Sequence, residues 1–451
     1  MNFSALIPRR QLLKSLSCGF GYTAFAGLAA EAARRERQST APQPGHYEGP
    51  AKRVIFMFMR GGPSQMDTFD YKPELNRRDG EQYGKKDKLF GSPWRFRQRG
   101  ESGLWVSDVL PHLADSADDL CVIRSMQTDS SAHPLAMPQM HTGSFQFTRP
   151  SIGSWVLYGL GAENQDLPGF ITINPSRVFG GPGNFGSAFL PAAYQGARVG
   201  WEGQSLKNAG FRNIGNDRVP RSVQRDQLDL LQAMNSRYDE SAVDGVIDSF
   251  ELGARMQHTA PEVMDLSGET EQTLKNYGVE GKRTDNFGRQ CLLARRFAEA
   301  GVRFIELGHG SWDHHRNLES GLARNCEEID QPIAALLQDL KQRGLLDETL
   351  VVWGGEFGRL PQLQYETGRG HNAEGFTFLM AGGGVRGGYA HGATDELGHK
   401  AVDKPVHLHD LHATILHQLG LDHENLTYRY GGRDFRLTDV HGSVVGELAA
   451  S

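Results

Sequence analysis

The sequence predicts an α/β protein built on a mostly parallel central sheet with helices on both faces. Three observations carry this. Short, continuous apolar runs of strand length recur along the chain, and a run with no polar face belongs to a strand buried on both sides. Amphipathic helical patterns precede the later runs, and such alternation of strand and helix builds a parallel sheet covered by helices. Finally, histidines, carboxylates and glycines concentrate just after the apolar runs. In an open α/β sheet, ligands bind at the carboxyl ends of the strands.

In chain order, the first feature is Arg9-Arg10, followed by Gln11-Leu12-Leu13-Lys14, a weakly apolar Gly/Ala-rich stretch from Ser15 to Ala30, and the small-residue sequence Ala30-Glu31-Ala32. A charged start, a modest apolar stretch and an A-x-A end describe a secretory signal, and the paired arginines make it the twin-arginine kind. Residues 1–32 are therefore expected to be a signal, 33–50 a polar, proline-containing linker, and 51–451 one domain. The twin-arginine export machinery is then a partner, and the mature chain is expected in the periplasm or outside the cell. Cys18 follows Ser15 too early in the signal to read as a lipoprotein cysteine.

The first strand is expected at Val54–Met59, ending in Arg60-Gly61-Gly62-Pro63. Cys121–Ile123, Gly169–Ile173, Val302–Leu307, Thr349–Trp353 and Phe376–Ala381 are the next five. Leu292–Ala300 and Ile329–Arg343, the latter with Ile333, Leu336, Leu337 and Leu340 on one face, read as helices leading into the fourth and fifth strands. Leu408–Leu419 reads as a late helix. The more polar stretch 203–285 is expected to be a helical insertion.

Composition excludes several classes. A net charge of −6 and a pI near 6.3 offer no basic surface to nucleic acid. Beyond the signal no segment supplies the ~20 apolar residues of a membrane helix. Cys121, Cys291 and Cys326 remain once Cys18 is set aside, an odd count that argues against a disulfide framework.

Four segments carry the candidate chemistry. Gly61–Asp70 follows the first strand and holds Ser64, Asp67 and Asp70. His309–His315 follows the fourth and holds Asp313, His314 and His315. Gly354–Arg359 follows the fifth and holds Glu356, and Gly368–Asn372 precedes the sixth and holds His371. Carboxylate with imidazole suits a hard or borderline divalent cation, and catalytic zinc sites commonly use three protein ligands with one position open. The carboxylates and imidazoles of these segments, Asp67, Asp70, Asp313, His314, His315, Glu356 and His371, are thus candidate ligands for such an ion, zinc, manganese or calcium. Arg359 and Arg369 are candidates for binding an oxyanion bidentately.

The order of these segments resembles the alkaline phosphatase/sulfatase superfamily, and more narrowly the bacterial family catalogued as domain of unknown function 1501. The resemblance runs from Val54 to about Leu448, through Gly61–Asp70, Trp312-Asp313-His314-His315, Gly354–Arg359, Gly368–Asn372 and the late Asp410–Leu416. It implies an alkaline-phosphatase-like fold and an anionic small-molecule or polysaccharide ester as substrate. It also implies that Glu356 stands where sulfatases place a metal-binding Asp, that Phe357 replaces a second ligand, and that Asp313, His315 and His371 take the phosphatase-like ligand positions. The Asp pair that ends the first strand of a sulfatase is absent, leaving Asp67 as the nearest carboxylate.

Anchoring the sulfatase signature on Thr142-Gly143 puts His133 on the nucleophilic cysteine and Met137 on the arginine, so formylglycine chemistry is excluded in that alignment. His133 then stands as ligand, general base or phosphorylated nucleophile, with Ser64, Ser130 and Ser131 as alternatives and His141 as support. Two functions follow: a metal-dependent hydrolase of phosphate or sulfate esters, or a non-catalytic periplasmic binding or scaffold protein that retains part of the site.

Overall fold

A computed structural model describes residues 40–450 except 86, 208, 212–213, 215–218 and 236–240. The expected signal lies outside the described residues. The main sheet has nine strands: β1 (Arg53–Met59), β2 (Leu120–Gln127), β3 (Phe170–Ile173), β4 (Ala197–Val199), β5 (Phe304–His309), β6 (Thr349–Gly354), β7 (Phe376–Ala381), β8 (Tyr389–His391) and β9 (Val406–His407). They run in the order β8-β2-β7-β6-β1-β5-β3-β4, with β9 also paired to β2.

All six apolar runs are strands of this sheet, and β1 lies inside it, parallel to β6 on one side and β5 on the other. Only β7 runs against the rest, antiparallel to both β6 and β2. A parallel connection needs a crossover of a dozen or more residues, usually a helix. Between β6 and β7 the chain instead folds a hairpin, Gly358–Gln364 on Gly368–Asn372, which sends it straight back. That reversal decides where the segment entering β7 lies: it arrives at the edge where β1, β5 and β6 end.

Side chains alternate along β1 between two cores, as the period of two requires. Ile55, Met57 and Met59 face a core shared with α5 (Asp285–Glu299) and α6 (Leu318–Gln342). Val54, Phe56 and Phe58 face the other, built with α1 (His133–Thr142), α2 (Ile152–Leu160) and α7 (Leu408–Gln418). The stretch 203–285 contains α3 (Arg221–Asn235) and α4 (Ser241–Met264). Among the described residues no helix is long and apolar enough to cross a membrane.

Helix α7 carries a titratable device. His412 is buried, and its Nε2–H donates to the Met140 carbonyl at 2.7 Å. Burial, reinforced by nearby His409, pushes its pKa down to about 3. Its folded pKa lies below the unfolded value near 6.5, so the stability it contributes is complete above ~6.5 and is lost as pH falls toward about 3. A His412→Asn variant should flatten the fall in Tm between roughly pH 6.5 and 4. Parallel Tm–pH curves for variant and wild type would show that His412 does not set the slope.

Candidate metal centre

Five segments meet at the carboxyl edge of the sheet: Gly61-Gly62 after β1, the first turn of α1 after β2, Ser311–His315 after β5, Gly355–Arg359 after β6, and Gly368–Asn372 ahead of β7. Asp313 is where they converge. His371 Nε2 and His315 Nε2 each lie 3.0 Å from its Oδ1, and His133 Nε2 lies 3.3 Å from its Oδ2. The ligand atoms of His133, Asp313 and His371 all fall within 4.8 Å of one another.

The tautomers say what these distances mean. His371 Nδ1 sits 2.6 Å from the Ser131 carbonyl oxygen, which only accepts, so Nδ1 carries the proton and Nε2 a lone pair. His315 Nδ1 faces the side-chain oxygen of Gln364 and is fixed the same way. His133 Nδ1 lies 2.6 Å from Glu356 Oε1, and its buried Nε2 has no hydrogen-bond partner. With their Nδ1 protons so placed, neutral His371 and His315 aim Nε2 lone pairs at a carboxylate that is also an acceptor. Two donors each ~2.0–2.2 Å from one ion lie roughly 3–3.5 Å apart, which is the spacing found. A second ring nitrogen held by a carbonyl or carboxylate is how metal-ligating histidines are oriented. The donor set therefore fits a divalent cation.

Electrostatics of the protein groups alone agrees with one hub of negative charge. Burial raises the Asp313 pKa, but the His133, His371 and Arg359 side chains set against it hold it far below the usual carboxylate range. Burial lowers the His133 pKa, yet its contacts with Asp313 and Glu356 outweigh that and lift it to about 9, so without an ion the ring is protonated at neutral pH and would give up its Nε2 proton to bind one. Burial, with Arg359 nearby, keeps the His371 pKa below its ordinary value.

Several expected roles change. Glu356 does not turn an oxygen to Asp313: the Gly61 N–H donates to both its oxygens, at 3.0 and 3.1 Å, and His133 takes Oε1. It positions His133 rather than standing among the mutual donors, and of the three readings open for His133, ligand, general base or nucleophile, its place in that donor set fits the first. Asp67, an expected ligand, is buried and paired with Arg369 at 2.8 Å, and the Ser64 hydroxyl donates to the same carboxylate. That removes both Asp67 and Ser64 from the site. Arg369, expected to hold an anion, is wholly buried and spends its remaining donors on the carbonyls of Phe90, Gly91 and Pro361. Arg359 is equally buried and donates to Asp313, Gly62, Trp312, Arg369 and Gly61, so protein groups rather than a ligand enclose it. The second carboxylate of the first segment, Asp70, pairs with Lys72 and accepts from Thr394.

The sequence reading did not single out Gln364 or the Ser131 carbonyl as orienting groups, and neither carries a signal recognisable without the fold. Phe357, which stands where a second ligand was expected, packs its ring 4.8 Å from that of His133 and 4.4 Å from that of His371. It walls the cluster rather than binding to it.

The fold and the cluster define an α/β protein with a metal-type imidazole–carboxylate centre at the carboxyl edge of its sheet. The chain belongs to the family described as Protein of unknown function (DUF1501), whose model matches residues 51–449. No curated protein matches the sequence. Among solved structures it is similar to Ps i-CgsB in complex with k-i-k-neocarrahexaose (11% identity, TM-score 0.39, covering 84% of this chain and 74% of that one). It is also similar to the alkaline phosphatase from the Antarctic bacterium TAB5 (12%, 0.30, 74% and 92%) and to the PsFucS1 sulfatase from Pseudoalteromonas sp. (13%, 0.33, 93% and 73%).

Because Asp67 and Arg369 are both wholly buried, removing either partner leaves an uncompensated charge, which costs ~3–5 kcal/mol. Arg369→Met and Asp67→Asn should each lower the unfolding free energy in urea by about that much, while any divalent ion that the wild type binds is still bound by the folded fraction. A loss below ~1 kcal/mol, or a specific loss of metal, would refute a purely structural role for the pair.

Proposed function

We propose that this protein is an exported, metal-dependent hydrolase acting on phosphate or sulfate esters. The observation that carries the reading is the convergence of three imidazole Nε2 atoms on the two oxygens of Asp313, with each opposite ring nitrogen held by a carbonyl or carboxylate. Asp313, His133 and His371 would hold a divalent ion, with His315 at its side. Such an ion polarises an ester oxygen and generates a nucleophile from water at neutral pH.

The chain's own residues do the rest. Glu356, anchored on the Gly61 N–H, holds His133 in one tautomer. Arg359 fixes the Asp313 carboxylate and keeps it ionised. Phe357 and Phe179, both packed on His133, limit the access of water. Ser64 is committed to Asp67 and the three described cysteines are buried in the cores, which favours water as the attacking group over that hydroxyl or a thiol. The buried Ser64 and the aromatic at position 357 also favour the competing reading, a binding protein that holds the ion without turnover.

Purified protein should contain close to one equivalent of zinc or manganese by elemental analysis, and Asp313→Asn and His371→Ala should lose most of it. Aryl phosphate, aryl phosphate diester and aryl sulfate assays of the loaded protein should reveal activity. Glu356→Gln should lower kcat by ~10²-fold or more, since mispositioned groups at a metal centre cost that order. Metal without turnover of any ester establishes the binding protein, and no metal at all refutes both readings.

Export rests on Arg9 and Arg10. Changing both to lysine should leave the precursor in the cytoplasm in a fractionation experiment, and undiminished export of that variant would rule out the twin-arginine route.

A further inference from the structure

The helical hairpin formed by α3 and α4 carries its polar side chains inside and its apolar ones outside. Between the two helices Arg225 Nη1 donates to Glu251 at 2.6 Å, Gln232 to the same carboxylate at 2.9 Å, and Gln257 to Gln224 at 2.9 Å. Of the large apolar residues of α3 only Leu228 is buried. Val223, Leu230, Leu231 and Met234 are 42, 61, 45 and 55% exposed. At 3.6 residues per turn these four fall in one stripe about 100° wide, the width of a face that a helix normally turns toward a core. Here the side toward α4 is taken by the polar contacts, and the stripe faces away. Side chains of this size, half exposed, leave on the order of 350 Å² of contiguous apolar surface, an area that marks an interaction site. Two such faces closed on each other, with the polar rim that accompanies an apolar centre, approach the ~1,200 Å² at which specific interfaces begin.

The stripe is its own complement. Val223, Gln227, Leu230 and Met234 follow one another at intervals of 4, 3 and 4 residues, the alternation of a coiled-coil seam. That spacing reads the same in both directions. A second α3 laid antiparallel about a two-fold axis therefore meets the first position for position, with Val223 opposite Met234 of the other copy and Gln227 opposite Leu230. A two-fold interface requires such a self-complementary patch. One polar residue in an apolar seam fixes its register, and Gln227, also exposed, is that residue. Asp226 and Asp229 border the stripe, and Arg225 beside them is held by Glu251 and Asp229. That sets it apart from the Lys/Arg-bordered stripes that lie on anionic lipid.

We infer that this face joins two copies of the chain, α3 against α3 in antiparallel order about a two-fold axis. The pairing buries the apolar stripe of each copy in that of the other and leaves the polar contacts between α3 and α4 as they are.

Sedimentation equilibrium of the purified protein tests it. The wild type should sediment at twice the chain mass at micromolar concentration. Leu230→Glu places a charge in the seam twice over, once from each copy, and should weaken the pair at least about a hundredfold. Leu230 is exposed in the single chain, so the Tm of the variant, measured where both proteins are dissociated, should match that of the wild type. An equal mixture of Val223→Cys and Met234→Cys proteins should form an interchain disulfide on mild oxidation, and neither protein should do so alone. A wild type that stays monomeric into the high micromolar range, or a dimer indifferent to Leu230→Glu, overturns the inference. Cross-linking within either single variant overturns the antiparallel order. A monomer that floats with phosphatidylcholine–phosphatidylglycerol vesicles, and ceases to on Leu230→Glu, assigns the face to lipid and overturns the pairing as well.

Discussion

One buried guanidinium holds the working edge of this protein together. Arg359 leaves the end of β6 and donates to backbone carbonyls of three other segments, Gly61-Gly62, Trp312 and Arg369, as well as to the carboxylate of Asp313. A buried cation is tolerated only when its donors are satisfied and its charge is answered, and here the answer is the hub of the metal-type centre. Its own pKa is drawn down by burial and held up mainly by Asp313. The constraint works in both directions: Asp313 keeps the arginine charged inside the protein, and the arginine fixes where Asp313 points. Gly61 completes the joint. At φ +119°, with the Asp313 backbone nitrogen 2.5 Å from where a β-carbon would stand, it lets the two loops touch while its N–H fixes Glu356.

Around that joint two of the three imidazoles are arranged by groups that have no charge of their own to contribute. The Ser131 carbonyl and the Gln364 side chain choose the tautomers of His371 and His315, and only Glu356 does so with a carboxylate. Affinity at such a site depends on these partners almost as much as on the donors themselves.

The sheet was legible in the sequence because an uninterrupted apolar run has one physical reading when it is four to eight residues long: Val54–Met59 must be covered on both faces, and it is. The convergence of Asp313, His315 and His371 was legible for a related reason, since parallel strands deliver their following loops to one edge. What could not be read was the fate of individual polar side chains. Arg359 and Arg369 carry the same charge in the sequence whether they face solvent or fill the interior. Only the hairpin between β6 and β7, which turns them inward, decides it. Asp67 likewise looks like a ligand until Arg369, some three hundred residues away in the chain, is found against it. Pairings of long sequence separation leave no local pattern, which is also why the contact of Glu356 with His133 was invisible.

The hairpin has a consequence for how this family can vary. Because β7 turns back beside β6, the whole excursion from Gly355 to Gly375 begins and ends at the same edge of the sheet. Residues added at its tip, near the exposed Tyr365-Glu366, extend that edge beside the cluster without shifting the register of any core strand. Long surface loops cost little in closure entropy. The segment can therefore lengthen or shorten among relatives and reshape what the crevice admits, while the two cores and the joint at Arg359 stay unchanged.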